Sequence, residues 1–123
     1  MSKKYEKVGK GSFFFEDNGG NEKRPSFKGK VDISGRAFEM ALWPRTSKGG
    51  HRYLSCVLTL PGERDQIGDA AFFERNNPNP KAPKLSGPME IQGVKFDCSV
   101  WQQRAESGAE YFSVKVEHVT EEA

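Results

Sequence analysis

The feature that most constrains this chain is a stretch of sequence that occurs twice. It reads W-P-R-T-S-K-G-G-H-R-Y-L-S from Trp43 to Ser55 and W-Q-Q-R-A-E-S-G-A-E-Y-F-S from Trp101 to Ser113. Trp, Gly, Tyr and Ser recur at the same spacing, 58 positions further along the chain. Internal repetition restricts the fold more strongly than composition does, because each repeat must be a similar structural unit.

The repetition extends well beyond this stretch, since residues 11–60 align with residues 69–118 without a gap. Chance would give roughly three or four identities over this length at ordinary composition. The identical residues, in the numbering of the first copy, are Phe14, Phe15, Glu16, Asn18, Asn21, Lys23, Pro25, Gly29, Ile33, Gly35, Phe38, Trp43, Gly50, Tyr53 and Ser55. The sequence therefore predicts one domain, 1–123, with an internal repeat, residues 61–68 as the linker and residues 1–10 as a flexible basic segment.

Each copy contains three segments in which apolar and polar residues alternate, the pattern of half-buried β-strands. Gly35 and Gly93 follow the first segment of each copy and favour two-residue turns. The predicted fold is mainly β, with two tandem copies of a three-stranded antiparallel meander packed as a pseudo-twofold sandwich or small barrel. The Phe clusters that open the copies fit either a short edge strand or a plug.

The cysteines are expected to be structural. Cys56 aligns with Val114, and Cys98 aligns with Met40, so both positions favour a buried apolar side chain. The start of the chain is basic and lacks the apolar core of a signal peptide, and no segment reaches the roughly 18 apolar residues of a membrane-spanning helix. These features predict a cytoplasmic protein with reduced thiols and no membrane association.

Enzymatic function is not expected. His51 and His118 have no Cys or carboxylate partner at metal-ligand spacing, and no nucleophile-elbow, zincin, P-loop or dinucleotide-binding pattern occurs. We therefore predict a binding protein with no catalytic residue, no cofactor, no metal and no small-molecule substrate.

Charge is distributed unevenly between the two halves. Residues 1–60 contain twelve Lys and Arg against six Asp and Glu, whereas residues 61–123 contain seven against eleven. If the apolar residues face inward, Trp43 and Tyr53 face outward, near basic side chains that the second copy lacks. The predicted nucleic-acid-binding residues are Trp43, Tyr53, Lys28, Lys30, Arg45, Lys48 and Arg52. Exposed aromatic rings surrounded by cations are typical of single-strand binders; alternatively, Trp43 and Tyr53 only brace the hairpin, or the N-terminal Phe cluster covers them.

The pattern G-x-x-x-I-x-G-x-x-F followed by W-x-x-x-S-x-x-G-x-x-Y-x-S resembles a family of small uncharacterised proteins from bacteriophages and proteobacterial mobile elements. The matching residues are Gly29, Ile33, Gly35, Phe38, Trp43, Ser47, Gly50, Tyr53 and Ser55. The second copy departs from the pattern at Ala105, which replaces Ser47. The resemblance implies a phage or mobile-element origin and action in the host cytoplasm. It leaves two hypotheses for the partner: single-stranded nucleic acid, or a host protein complex such as a CRISPR effector that the protein would inhibit by occlusion or mimicry.

Overall fold

A computed structural model describes residues 2–17, 19–21, 23–76, 78–79 and 81–122. The described chain forms eight β-strands. They are β1 (Ser2–Phe15), β2 (Phe27–Ile33), β3 (Arg36–Thr46), β4 (Arg52–Thr59), β5 (Gln66–Glu74), β6 (Leu85–Ile91), β7 (Val94–Arg104) and β8 (Glu110–Glu122). Each strand pairs antiparallel with the next, and β1 pairs with β8 to close the sheet into a barrel. The predictions of a mainly β fold and a small barrel are confirmed.

The barrel interior is filled by the alternating apolar side chains. Leu42 and Leu58 are fully buried, and the same inward series runs through every strand. Cys56 and Cys98 are buried free thiols in this core, as predicted. Phe13 and Phe72, on opposite sides of the barrel, have no exposed surface and occupy much of the interior. A barrel of eight strands is just wide enough for side chains to fill it, so its interior is a packed core.

The Phe clusters lie in full strands, β1 and β5, and neither is a plug. Phe13 and Phe72 face inward, while Phe14 pairs with Lys28 on β2 and Phe73 pairs with Ser86 on β6. Phe13 and Phe14 therefore correspond to Phe72 and Phe73 at a spacing of 59 positions. The ungapped alignment is wrong by one residue in this segment, because the loop at 16–26 is one residue longer than the loop at 75–84.

The two predicted tight turns are confirmed. Ser34 and Gly35 have φ values of 53° and 82°, and Gln92 and Gly93 have values of 49° and 85°. Positive φ at both central residues is the geometry that matches the right-handed twist of a β-hairpin.

Residues 2–10, for which the sequence predicts a flexible segment, lie in β1. They pair with the end of β8, and the register places Lys7 opposite Glu117. Opposite charges on facing residues stabilise such a strand pair. Three residues of the predicted linker also lie in a strand, since β5 begins at Gln66.

Pro88 lies in β6, between β5 and β7 of the closed barrel. It pairs with Asp97 on β7, but the β5–β6 pairing is interrupted between Met89 and Ser86. The interruption coincides with the residue that lacks a backbone N–H, which is where a bulge or break is expected.

Candidate functional site

Trp43 and Tyr53, the outward aromatic residues of the first copy, do not lie directly opposite each other. Trp43 lies opposite Ser55, and Tyr53 lies opposite Arg45, so the two rings are diagonal neighbours. Tyr53 stacks instead on Phe73 of β5, with ring centroids 5.0 Å apart. Tyr53 therefore connects β4, the last strand of the first half of the chain (β1–β4), with β5, the first strand of the second half (β5–β8).

Each repeated Trp is bound by the loop that precedes its hairpin. The indole Nε1 of Trp43 donates to the carbonyl of Lys23 at 3.3 Å, and that of Trp101 donates to the carbonyl of Lys81 at 3.1 Å. Both indoles are half-buried. The repeated Trp thus anchors a loop against the outside of the barrel, which is a structural role.

The predicted basic residues fall into two groups on different surfaces. Lys28 and Lys30 are exposed on the outer surface of β2, and Lys28 lies 3.4 Å from Glu16. Arg45, Lys48 and Arg52 are exposed at the far end of the β3–β4 hairpin, by the rim of the barrel. They do not form one ring around Trp43 and Tyr53.

Lys28 and Lys30 instead belong to a continuous outer surface formed by β7, β8, β1 and β2, which we call the basic face. Lys28 lies beside Phe14, Lys30 beside Ser12, and Lys10 beside Lys115. The basic face consists of Lys10, Phe14, Lys28, Lys30, Trp101, Tyr111 and Lys115. Lys10 faces Lys115 on one side, a like-charge pair that destabilises a sheet, and it faces the exposed Asp32 of β2 on the other side.

Aromatic rings lie among these lysines. Phe14 is 49% exposed, and its ring centroid lies 5.6 Å from that of Tyr111 on β8. Lys115 Nζ lies 5.6 Å from the centroid of the Trp101 ring and 3.5 Å from Glu117. Sequence reasoning missed this surface because β1 and β8, at opposite ends of the chain, become neighbours only when the barrel closes.

The opposite side of the barrel, formed by β3, β4, β5 and β6, carries the equivalent aromatic residues without the lysines. Trp43, Tyr53 and Phe73 correspond to Trp101, Tyr111 and Phe14. The positions equivalent to Lys10, Lys28, Lys30 and Lys115 are Asp69, Ser86, Pro88 and Val57. This counterpart face shares the framework and the aromatic residues and lacks the four lysines, although Arg45 lies opposite Tyr53 and Arg75 donates to Ser86 there.

An acidic boundary lies beside the basic face. Asp97 faces outward on β7, between Pro88 of β6 and Glu117 of β8. Partial burial, followed by repulsion from Glu117, raises the pKa of Asp97, while Arg75, a hydrogen bond from the backbone of Cys98 and Lys115 act in the opposite direction. The boundary limits the positive surface to β8, β1 and β2.

The buried thiols do not offer a nucleophile. Burial, with a smaller effect of Asp69, raises the pKa of Cys56 to about 12, and burial also raises the pKa of Cys98. Thiols with such a raised pKa are neutral at physiological pH and unreactive.

Among the described residues, no group of three or more His, Cys, Asp or Glu side chains is placed to hold a metal ion. The same residues include no helix long and apolar enough to cross a membrane.

Comparison with known proteins adds no further assignment. No protein-family model, no curated protein and no solved structure matches this chain.

Proposed function

We propose that this chain is a non-enzymatic, single-stranded nucleic-acid-binding protein of phage type, and that the basic face is its binding surface. The observation that carries the proposal is Phe14, a half-exposed ring between Tyr111 on one side and Lys28 on the other. Single-strand binders place aromatic rings under the bases and cations along the phosphates. Phe14 and Tyr111 would stack bases, while Lys10, Lys28, Lys30 and Lys115 would contact phosphates.

We further infer that the barrel consists of two copies of a four-stranded unit related by a pseudo-twofold axis. The support is that specific hydrogen bonds recur 58 positions apart. Ser47 N donates to His51 O, as Ala105 N donates to Ala109 O, and the two Trp–loop bonds correspond in the same way. On this proposal the shared residues maintain the framework, and binding depends on the charges that only the basic face has.

The proposal is tested by titrating the protein with single-stranded oligonucleotides at several salt concentrations. Replacing Lys10 and Lys30 together with Ser removes two phosphate contacts. We expect affinity to fall at least tenfold and the slope of log affinity against log salt to decrease by about 1.4, since each contact to a single strand contributes about 0.7. The matched control replaces Lys95 and Arg64, two exposed cations outside the basic face, and should bind within twofold of the original chain.

Stacking is tested separately with Phe14→Ser. Loss of one stacked base costs about 1–3 kcal/mol, so affinity should fall roughly 5- to 150-fold with little change in salt slope. Phe73→Ser changes the equivalent ring on the counterpart face and should leave binding unchanged. Equal effects of the two substitutions, or the absence of salt-dependent binding in the original chain, would contradict the proposal.

A second candidate function, occlusion of a host protein complex, is favoured by one feature of the counterpart face. Asp69 and Glu90 are exposed and lie directly opposite each other on β5 and β6. Facing like charges destabilise a sheet, so this pair fits recognition of a basic protein surface. A stoichiometric protein partner that survives nuclease treatment and is lost in Asp69→Asn/Glu90→Gln would favour this function over nucleic-acid binding.

A further inference from the structure

One end of the barrel is concave, and we call it the mouth. It lies where β2, β4, β6 and β8 begin. Two depressions of about 400 and 520 Å³ open there and share Phe27, Leu54 and Glu74. Their volumes lie within the range of small-ligand sites, which occur preferentially in the mouths of barrels.

The floor of the mouth is apolar and aromatic. Leu54 and Leu85 are buried there, and Phe27 and Phe112 are half-buried beside them. Phe13 lies beneath, with its ring 4.9 Å from Phe112 and 5.7 Å from Phe27. This layer closes the barrel interior, so a ligand in the mouth would rest on rings rather than enter the core.

The rim of the mouth is predominantly basic. Arg45 and Arg52 line the larger depression, and Arg75 and Lys84 line the smaller one, together with the carboxylate of Glu74. Glu110, the first residue of β8, lies at the same end and is bonded to Arg104 and Gln102. Arg75 Nε donates to Ser86 Oγ, which leaves Arg45, Arg52 and Lys84 as the cations that could contact a ligand. An aromatic floor with a cationic rim fits a planar apolar group that carries a phosphate.

The mouth is continuous with the basic face through the end of β1. Phe14 belongs to the basic face, while Phe15, 69% exposed, lies at the edge of the mouth with its ring 5.9 Å from Phe27. The equivalent of Phe15 in β5 is Glu74, so this aromatic connection occurs only on the β1 side. A strand on the basic face can therefore reach the mouth by passing over consecutive aromatic rings.

We propose that the mouth binds the terminal nucleotide of a single strand whose adjoining nucleotides lie on the basic face. The terminal base packs against Phe27 and Phe112, and its phosphate lies near Arg52 and Lys84. This inference rests on the proposed nucleic-acid function and adds a preference for strand ends.

The test is competition for an internally labelled oligonucleotide by unlabelled strands of one sequence, either linear with phosphorylated ends or closed into a circle. The linear strand should compete at least fivefold better. Arg52→Glu and Lys84→Glu should each remove this advantage while leaving competition by the circle within twofold. Lys95→Glu, the same charge reversal at the other end of the barrel, should leave the advantage intact, and Lys10→Ser/Lys30→Ser should weaken competition by both strands equally.

Three results would overturn the inference. The first is equal competition by linear and circular strands with the original chain. The second is an end preference that persists in both mouth variants. The third is a free mononucleotide that shifts the NMR resonances of Phe112 without any end preference for strands, which would assign the mouth to a soluble nucleotide. Absence of competition by either strand would instead refute the proposed function itself, and the end preference with it.

Discussion

Gly29, on an inward position of β2, is a residue whose identity follows from one contact. A Cβ atom there would overlap the carbonyl oxygen of Ser12 and lie 2.5 Å from the Cα of Phe13. The equivalent Gly87 meets the carbonyl of Ala71 in the same way. The first two strands of each half approach so closely that only glycine fits, which explains why both copies have glycine at this position.

Gly29→Ala should therefore destabilise the protein, although alanine is otherwise the better strand residue. Overpacking of this kind costs about 1–3 kcal/mol, and the loss should appear as a lower urea midpoint at constant slope. Gly49→Ala is the matched control, because its added Cβ would lie 3.4 Å from the exposed ring of His51, an ordinary van der Waals contact. If the two variants unfolded at the same urea concentration, the close approach of β1 and β2 would be refuted.

At the scale of residues, the sequence correctly predicted which side chains face the core, but it did not identify one outward-facing ring. Period-2 alternation correctly placed Phe38, Met40 and Leu42 in the core. Phe14 was not identified as a site residue, because the sequence left open whether the Phe cluster forms an edge strand or a plug. The repeat did not decide which Phe faces outward, since a shift of one residue in a strand exchanges its two faces.

At the scale of the elements, the structure shows how a long polar loop is held in place. In the loop at 16–26, Asn21 Oδ1 accepts from the backbone of Lys23, and the carbonyl of Lys23 accepts from Trp43. The loop then joins the sheet through Ser26 N, which donates to Leu42 O. The repeated Asn, Lys and Trp therefore form one hydrogen-bond network that attaches the loop to the barrel.

Trp43→Phe removes the indole donor from this network and keeps an aromatic ring at the same position. A single hydrogen bond of this kind contributes about 1 kcal/mol, and the loop amides of Arg24 and Ser26 should exchange with solvent faster. Tyr53→Phe is the control, since it retains the ring that stacks on Phe73 and should leave loop exchange unchanged. Unaltered exchange in Trp43→Phe would show that the indole bond does not hold the loop.

The strand order also explains why the structure brings together only some of the predicted binding residues. Lys28 and Lys30 lie on the basic face, beside rings from β1 and β8 rather than from β3 and β4. No local sequence pattern predicts that the first and last strands pair with each other. That information depends on strand number and closure, which are properties of the complete sheet.

At the scale of the whole molecule, closure makes each half depend on the other. The β4–β5 seam is bridged by Tyr53 and Phe73, and the β8–β1 seam by Tyr111 and Phe14. Each Tyr thus pairs with a ring from the other half. A half on its own would expose both edge strands and one surface of the core.

We expect the isolated fragment 60–123 to be either unfolded or dimeric, and never a folded monomer. Four strands with two open edges and a one-sided apolar surface cannot bury a core, but two such fragments could form a closed barrel. Sedimentation equilibrium with circular dichroism would distinguish these states. A monomeric fragment with cooperative thermal unfolding would contradict this expectation.

The unequal length of the two long loops indicates where residues could be inserted into this fold. An extra residue inside a strand would turn every later side chain from solvent to core, yet between β1 and β2 it changes neither face. The loop at 75–84 is therefore an insertion point for foreign peptides, with the anchoring bond from Trp101 to Lys81 left intact. Display of a grafted epitope there would leave β8, β1 and β2 untouched.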